Sequence, residues 1–361
     1  MKRGRLKPPV TIKIVPPPDE VSLEKFLTQS GTFTDGDLLV NRDGVQIRSQ
    51  GDGEAAPPIQ PSDDSQISLA DIDTIKVIGK GNGGIVHLVQ HKWTSQFFAL
   101  KVIQMNIQES AVRKSIIQEL KINQSSQCQF LVTSYQSFYE NGAVSIILEY
   151  MDGGSLSDFL KKVKSIPEPY LAAICKQVLQ GLIYLHHDRH IIHRDLKPSN
   201  LLINHRGEVK ITDFGVSTIM ANTSAQAHTF VGTTNYMSPE RISGKSYSYK
   251  SDIWSFGLVL LECAIGKFPY SPQDPGGVWG TVFELINSIV NDEPPTPSPD
   301  QFSPQFCSFI SSCVQKNPEL RPSANDLLKH PFISMYEHMD VNLASYFTTN
   351  GSPQAPNLSS S

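Results

Sequence analysis

The chain has 361 residues, a hydrophobic fraction of 39%, a charged fraction of 18% and a formal net charge of -4. That length accommodates one large or two medium domains with a sizeable core, and the low charge density excludes wholesale disorder. The slightly acidic balance gives no global basic field that would draw the chain to nucleic acid or a membrane surface. Five cysteines, Cys128, Cys175, Cys263, Cys307 and Cys313, lie dispersed among apolar neighbours without a Cys-x-x-Cys pair. That pattern fits reduced core thiols in a cytosolic protein, not disulfides or a zinc site. The basic N-terminus turns proline-rich without the apolar stretch of a signal peptide, and the apolar run from Gly257 to Leu261 stops at Glu262, far short of a membrane span.

Residues 1–70 carry eight prolines with many Gly, Ser and Asp, and read mostly as a mobile arm. Its first 14 residues hold Lys2, Arg3, Arg5, Lys7 and Lys13 with no acid, and end in Val10-Thr11-Ile12-Lys13-Ile14. Such a segment suits an acidic patch beside apolar pockets; the competing reading is a solvated basic tail. Ser30 to Asn41 is less biased, and packing against the domain is the only role its chemistry suggests. The folded part begins near Asp71. Thr74 to Gly79 alternates apolar and polar, and Gly79-Lys80-Gly81-Asn82-Gly83-Gly84-Ile85-Val86 leads into a strand from Val86 to His91. Glycines at that spacing let backbone amides approach a phosphate without Cβ collisions. A dinucleotide-binding fingerprint needs a helix opening at the last glycine; the strand predicted here rules it out.

Phe97 to Ile103 is a strand with one interior lysine, Lys101, whose desolvation calls for an anion unless the side chain snorkels at a sheet edge. Val112 to Ile122 has helical spacing and carries Glu119 as the ion-pair partner of Lys101; Glu109, the other acid in range, lies at or before the helix start. Val144 to Leu148 is a buried strand. Asp152-Gly153-Gly154-Ser155-Leu156 opens a helix that either Asp152 or Ser155 caps, and Leu171 to His187 is amphipathic at helical period. The eight residues His193-Arg194-Asp195-Leu196-Lys197-Pro198-Ser199-Asn200 follow, and thirteen residues after Asn200 comes Asp213-Phe214-Gly215. Between them Leu201 to Ile203 and Val209 to Thr212 flank a polar turn and predict a β-hairpin. Asp195, Asn200 and Asp213 then converge as metal-assisted phosphoryl transfer requires: one carboxylate orients a nucleophile, while an amide and a second carboxylate hold Mg²⁺.

His-Arg-Asp-x-Lys-x-x-Asn followed by Asp-Phe-Gly resembles the signature of eukaryotic protein kinases, and Phe98-Ala99-Leu100-Lys101 stands where that family has Val-Ala-Ile-Lys. The resemblance implies an α+β, bilobal fold: a small β-rich N-lobe with its hinge over 71–151, a larger helical C-lobe over 152–333, and a polar tail over 334–361. It implies an ATP site made by Ile78, Gly79, Lys80, Gly81, Asn82, Gly83, Gly84, Val86, Ala99, Lys101 and Glu119. Leu148 would guard the back of the pocket, Glu149 and Met151 would meet the adenine from the hinge, and Asp158 would reach the ribose. Asp195 would take or orient the proton of the acceptor hydroxyl, Lys197 would steady the γ-phosphoryl group, and Asn200 and Asp213 would bind Mg²⁺. Glu240 would pair with Arg321, Asp252 would brace the catalytic loop, and Thr233 would stand near Asp195 and Lys197.

Asn82-Gly83-Gly84, the stretch from Phe230 to Glu240 and the basic arm further resemble plant MAP kinase kinases. In the segment from Phe214 to Pro239, Thr223 and Thr229 are separated by five residues, the phosphorylation spacing of those kinases. The resemblance implies a dual-specificity kinase acting on Thr and Tyr in the Thr-x-Tyr loop of a downstream MAP kinase. It also implies docking through residues 2–14, activation by an upstream MAP kinase kinase kinase, no nucleic-acid or integral membrane partner, and a cytoplasmic location with the nucleus as a second one. A pseudokinase scaffold, which usually lacks one of Lys101, Asp195 or Asp213, and another Ser/Thr kinase of the same cascade stay open as alternatives.

Overall fold

The computed structural model describes residues 32–35, 38–42, 44–47, 67–81, 84–104, 120, 128–213, 234–270 and 281–350. Three short strands come first, β1 (Phe33–Asp35), β2 (Leu38–Asn41) and β3 (Gly44–Ile47), paired in order as an antiparallel meander. The stretch from Ser30 to Asn41, expected to pack against the domain, supplies the first two of these strands. Phe33, Leu38 and Val40 are completely buried, because period-two alternation gathers the apolar residues of the meander on one face, which packs on the small lobe.

That lobe is a five-stranded antiparallel sheet in the order β4-β5-β6-β8-β7. Its strands are β4 (Ile72–Gly81), β5 (Gly84–His91), β6 (Phe97–Gln104), β7 (Ser134–Glu140) and β8 (Ala143–Glu149). β6 is central and covered on both faces. Phe98 and Leu100 join Val89, Phe138 and Ile147 in one cluster, while Ile103 joins Val144 and Ile146 in another. Gly84 has φ +112, and a Cβ there would lie 2.2 Å from the Val102 carbonyl oxygen, so only glycine closes the β4–β5 turn this tightly over β6.

The large lobe opens with β9 (Gly154–Ser155) and α1 (Leu156–Val163), whose first turn is capped by the Ser155 hydroxyl accepting from the Asp158 amide. Asp152 is not a cap: its carboxylate accepts from the amide of His205 at 2.9 Å and meets that imidazole at 2.5 Å. α2 (Glu168–Ile183) then runs into a π-helical turn over 184–188. The widened turn is the structural departure from the helix predicted through His187, and it carries the buried His186 ring to Asp252, 2.8 Å away. β10 (Leu201–Ile203) and β11 (Val209–Ile211) form the predicted hairpin, with Leu201 opposite Ile211. After α3 (Pro239–Ile242), α4 (Lys250–Ile265) is buried almost all round, as its apolar sequence demands of a helix in the middle of a lobe.

Of the helices that follow, α5 (Val282–Asn291) packs on α3, α6 (Pro304–Cys313) packs on α4, α7 (Ala324–Leu328) and α8 (Pro331–Ser334) pack on α2, and α9 (Leu343–Thr349) comes last. The chain does not thin into a polar tail after Ile333: Leu343 and Phe347 enter the main core, Tyr346 stacks on Tyr170 with centroids 3.8 Å apart, and Phe347 meets Phe159 edge-on. Apolar residues at positions 343 and 347 form one helical face that no single short window marks as core. Among the described residues no helix is long and apolar enough to cross a membrane. Cys175, Cys263 and Cys313 are buried free thiols, and burial raises the pKa of each.

Candidate active site

Between the lobes lies a cleft of ≈ 760 Å³, within the range of small-molecule sites. Its walls bring together most of the residues that sequence analysis singled out. From the small lobe come Ile78, Gly79, Lys80, Gly81, Gly84, Val86, Ala99 and Lys101, and Leu148, Glu149 and Met151 come from β8 and the segment after it. From the large lobe come Asp158, Asp195, Lys197, Asn200 and Asp213. Asn82, Gly83, Glu119, Thr223, Thr229, Thr233 and the basic arm lie outside the described residues.

Lys101 is 3% exposed, and its ammonium donates to Asp213 Oδ1 at 2.9 Å. Desolvation in the cleft pushes the Asp213 carboxyl up, but the Lys101 charge beside it, with His193 and Lys197 further off, holds its pKa below the usual carboxylate value. Asp213 therefore presents an ionised carboxylate at neutral pH. Its φ of +62 is left-handed, as is the +71 of Arg194. Such backbone costs roughly 1–3 kcal/mol at a non-glycine residue and persists where neighbours hold it.

Those neighbours are visible. Asp252 accepts from the amide of His193 at 2.8 Å and of Arg194 at 2.9 Å, while Arg241 donates to the Arg194 carbonyl at 2.6 Å. Burial raises the pKa of Asp252, and the hydrogen bond from His186 and the charges around it bring it below normal. His193, wholly buried, bonds the Thr212 carbonyl through Nε2 at 2.9 Å and the Asp195 amide through Nδ1 at 3.2 Å. A carbonyl only accepts and an amide only donates, so the proton sits on Nε2. One imidazole thus spans the two strands of motif, fixing Asp195 relative to the residue before Asp213.

Asn200 completes the cluster. Its amide nitrogen donates to the Asp195 carbonyl at 2.8 Å and to Asp195 Oδ2 at 3.0 Å, and Lys197 Nζ donates to the same Oδ2 at 2.7 Å. With its nitrogen so engaged, Asn200 has its side-chain oxygen to offer a cation. That oxygen and the ionised Asp213 are hard donors of the kind Mg²⁺ takes, in the number it takes when phosphates and water supply the remainder. Among the described residues there is no group of three or more His, Cys, Asp or Glu arranged to hold a metal by itself.

Two carboxylates of the cleft are engaged by neighbouring side chains. The Glu149 carboxylate turns to Lys210 on β11, with both oxygens at 2.7 and 2.8 Å from Nζ, which leaves its backbone groups as the ones expected to meet an adenine. The Asp158 carboxylate is held by the Ser155 hydroxyl at 2.6 Å and Lys161 at 2.9 Å at the rim of the cleft. Lys210, Arg241, Leu202 and Thr212 were missed from sequence. Leu202 had a readable signal, since it alternates with the fully buried Leu201 and Ile203 and must face the other way, into the cleft.

A β-rich lobe carrying a buried lysine, a helical lobe carrying an Asp–Lys–Asn cluster, and a carboxylate bridging them define a protein kinase catalytic domain. The family model described as Protein kinase domain matches residues 72–333. The chain is 69% identical to the mitogen-activated protein kinase kinase SIPKK of Nicotiana tabacum, over 98% of this chain and 99% of that protein. It is 66% identical to mitogen-activated protein kinase kinase 2 of Arabidopsis thaliana over 98% and 97%. It is also 40% identical to the dual specificity mitogen-activated protein kinase kinase dSOR1 of Drosophila melanogaster over 78% and 75%. The chain belongs to the MAP kinase kinase family and is an ATP-dependent protein kinase.

Proposed function

We propose that this kinase phosphorylates both Thr and Tyr in the activation loop of a MAP kinase, and that an upstream kinase switches it on at Thr223 and Thr229. The observation that carries the catalytic part is the convergence on one cleft of two hydrogen-bonded sets, Lys101 with Asp213 and both Lys197 and Asn200 with Asp195. Asp195, 15% exposed, faces the cleft with one oxygen already bonded to Lys197 and Asn200. Its carboxylate is thereby oriented to receive the proton of an acceptor hydroxyl. Lys197 stands beside it with a charge for the transferring phosphoryl group, and Lys101 carries a buried charge for the phosphates that remain. Mg²⁺ held by Asn200 and Asp213 would supply charge neutralisation to the nucleotide phosphates.

Phosphate on Thr223 and Thr229 would add about -1.5 to -2 charges each and give Arg194, next to Asp195, an anionic partner. The basic residues Lys2, Arg3, Arg5 and Lys7 with the aliphatics to Ile14 support docking to an acidic, pocketed surface on the substrate kinase. Incubating the activated protein with a panel of MAP kinases and generic proteins tests the assignment. Labelling of Thr and Tyr in a MAP kinase is expected, and labelling of generic proteins alone would sink it. Thr223→Ala/Thr229→Ala should leave an upstream kinase unable to activate the protein; normal activation would place the switch elsewhere.

A further inference from the structure

The meander β1–β3 has no part in the chemistry described so far, yet its packing is specific. Phe33, Leu38 and Val40 share one buried cluster with Ile103, Leu120, Tyr139, Val144 and Ile146. Strand register shows which face this is. In the β6–β8 pairing Ile103 stands opposite Val144 and Lys101 opposite Ile146, and in the β7–β8 pairing Tyr139 stands opposite Val144. Directly opposed residues share a sheet face, as do residues two apart along a strand. The meander therefore covers the same face from which Lys101 projects. Leu120 is completely buried in the cluster and follows Glu119 directly in the chain. Arg42 pairs with Glu140 on β7, and the bare Cα of Gly44 lies against Gln136, where a Cβ would approach the side-chain nitrogen to 3.2 Å.

A lysine ammonium sits at the end of a flexible four-carbon stem, so its position is set by what packs around the stem. We propose that β1–β3 is a positioning element of the nucleotide site: Phe33, Leu38 and Val40 clamp Leu120 against Ile103 and Ile146, and so fix the place of Lys101. The proposal rests on the reading of Lys101 as the lysine that receives the ATP phosphates. Reacting groups tolerate little displacement, a misplacement of about 1 Å costing on the order of 10²-fold. A cover that only shielded apolar surface would change stability and leave kinetics per folded molecule alone.

The test uses the full-length activated protein with Phe33→Ala, Phe33→Leu, Arg42→Ala and Lys101→Met, the folded fraction being counted from the amplitude of cooperative unfolding. Phe33→Ala should lower kcat/KM for ATP per folded molecule by about tenfold while leaving KM for the protein substrate unchanged. Phe33→Leu should recover most of that loss, and Arg42→Ala should behave as wild type. ATP dissociation constants measured by calorimetry complete a double-mutant cycle, in which Phe33→Ala weakens binding in the wild-type background but not beside Lys101→Met. If Phe33→Ala does not fold, Val40→Ala carries the same comparison. Unchanged ATP kinetics in Phe33→Ala, or equal weakening in both backgrounds, overturns the proposal and leaves the active-site reading standing. Wild-type ATP binding and turnover in Lys101→Met would instead overturn that reading, and this proposal with it.

Discussion

Replacing Arg321 with Met breaks a deeply enclosed ion pair. The guanidinium is 0% and Glu240 5% exposed at the side chain. Arg321 donates in bidentate fashion to Glu240 Oε1 at 2.7 Å and Oε2 at 2.8 Å, and to the carbonyls of Gln315, Lys250 and Lys316. All five of its N–H donors are thereby used. Burial pushes the Glu240 carboxyl up, but Arg321, followed by smaller hydrogen bonds including Ser251, takes its pKa from 4.5 down to about 2. At neutral pH that difference is worth about 3 kcal/mol to the folded state. Removing one partner of a buried pair costs roughly 3–5 kcal/mol, because the other charge is left behind.

The two figures agree, so Arg321→Met should lose about 3–5 kcal/mol in urea unfolding at pH 7. The sign of the pH dependence follows from the depressed folded pKa: the contribution is present above the unfolded value of 4.5 and is lost as pH falls towards about 2. The gap between wild type and variant should therefore narrow through that acid window. Glu240→Met/Arg321→Met should recover part of the loss, since the stranded carboxylate is gone. A neutral-pH loss below about 1 kcal/mol, or a gap constant into acid, would refute the reasoning.

Asp195→Asn should cut turnover by roughly 10²–10⁴ while leaving the unfolding midpoint in place; wild-type-like kcat would remove Asp195 from the chemistry. Gly84→Ala forces a Cβ to 2.2 Å from a backbone oxygen at a left-handed φ, and should weaken ATP binding along with the small lobe. Calorimetric titration with ATP would show it, and unaltered affinity would contradict the tight turn. Phe347→Ala removes a fully buried ring from the core and should destabilise by about 3–5 kcal/mol in denaturant unfolding. A neutral result would mean that α9 is not seated where it is described.

What was legible in the sequence was short-range. Gly79 to Gly84, Lys101 in its apolar strand, and Asp195 to Asp213 around a hairpin each announce themselves within a few residues, because local geometry and chemistry coincide there. Asp252 as the brace of the catalytic loop came from the family motif, whereas the strand pairing of the meander, α9 and the reach of Arg241 to that loop were not legible in the same way. Phe33 and Phe347 look unremarkable until the surfaces that receive them are folded, and Arg241 reaches the Arg194 carbonyl across 47 positions. Asp152 was ambiguous for the same reason: its partner, His205, stands 53 positions away.

Glu149 and Lys210 join the strand that ends the small lobe to the hairpin of the large one, and both are largely enclosed at 13% and 8% side-chain exposure. The pair is a charge-assisted tie across the floor of the cleft, and breaking it would remove a direct link between the two lobes. Lys101 with Asp213 is a second tie between the same two lobes, at 2.9 Å. A nucleotide whose phosphates drew the Lys101 ammonium off Asp213 would leave the Glu149–Lys210 bond as the surviving brace.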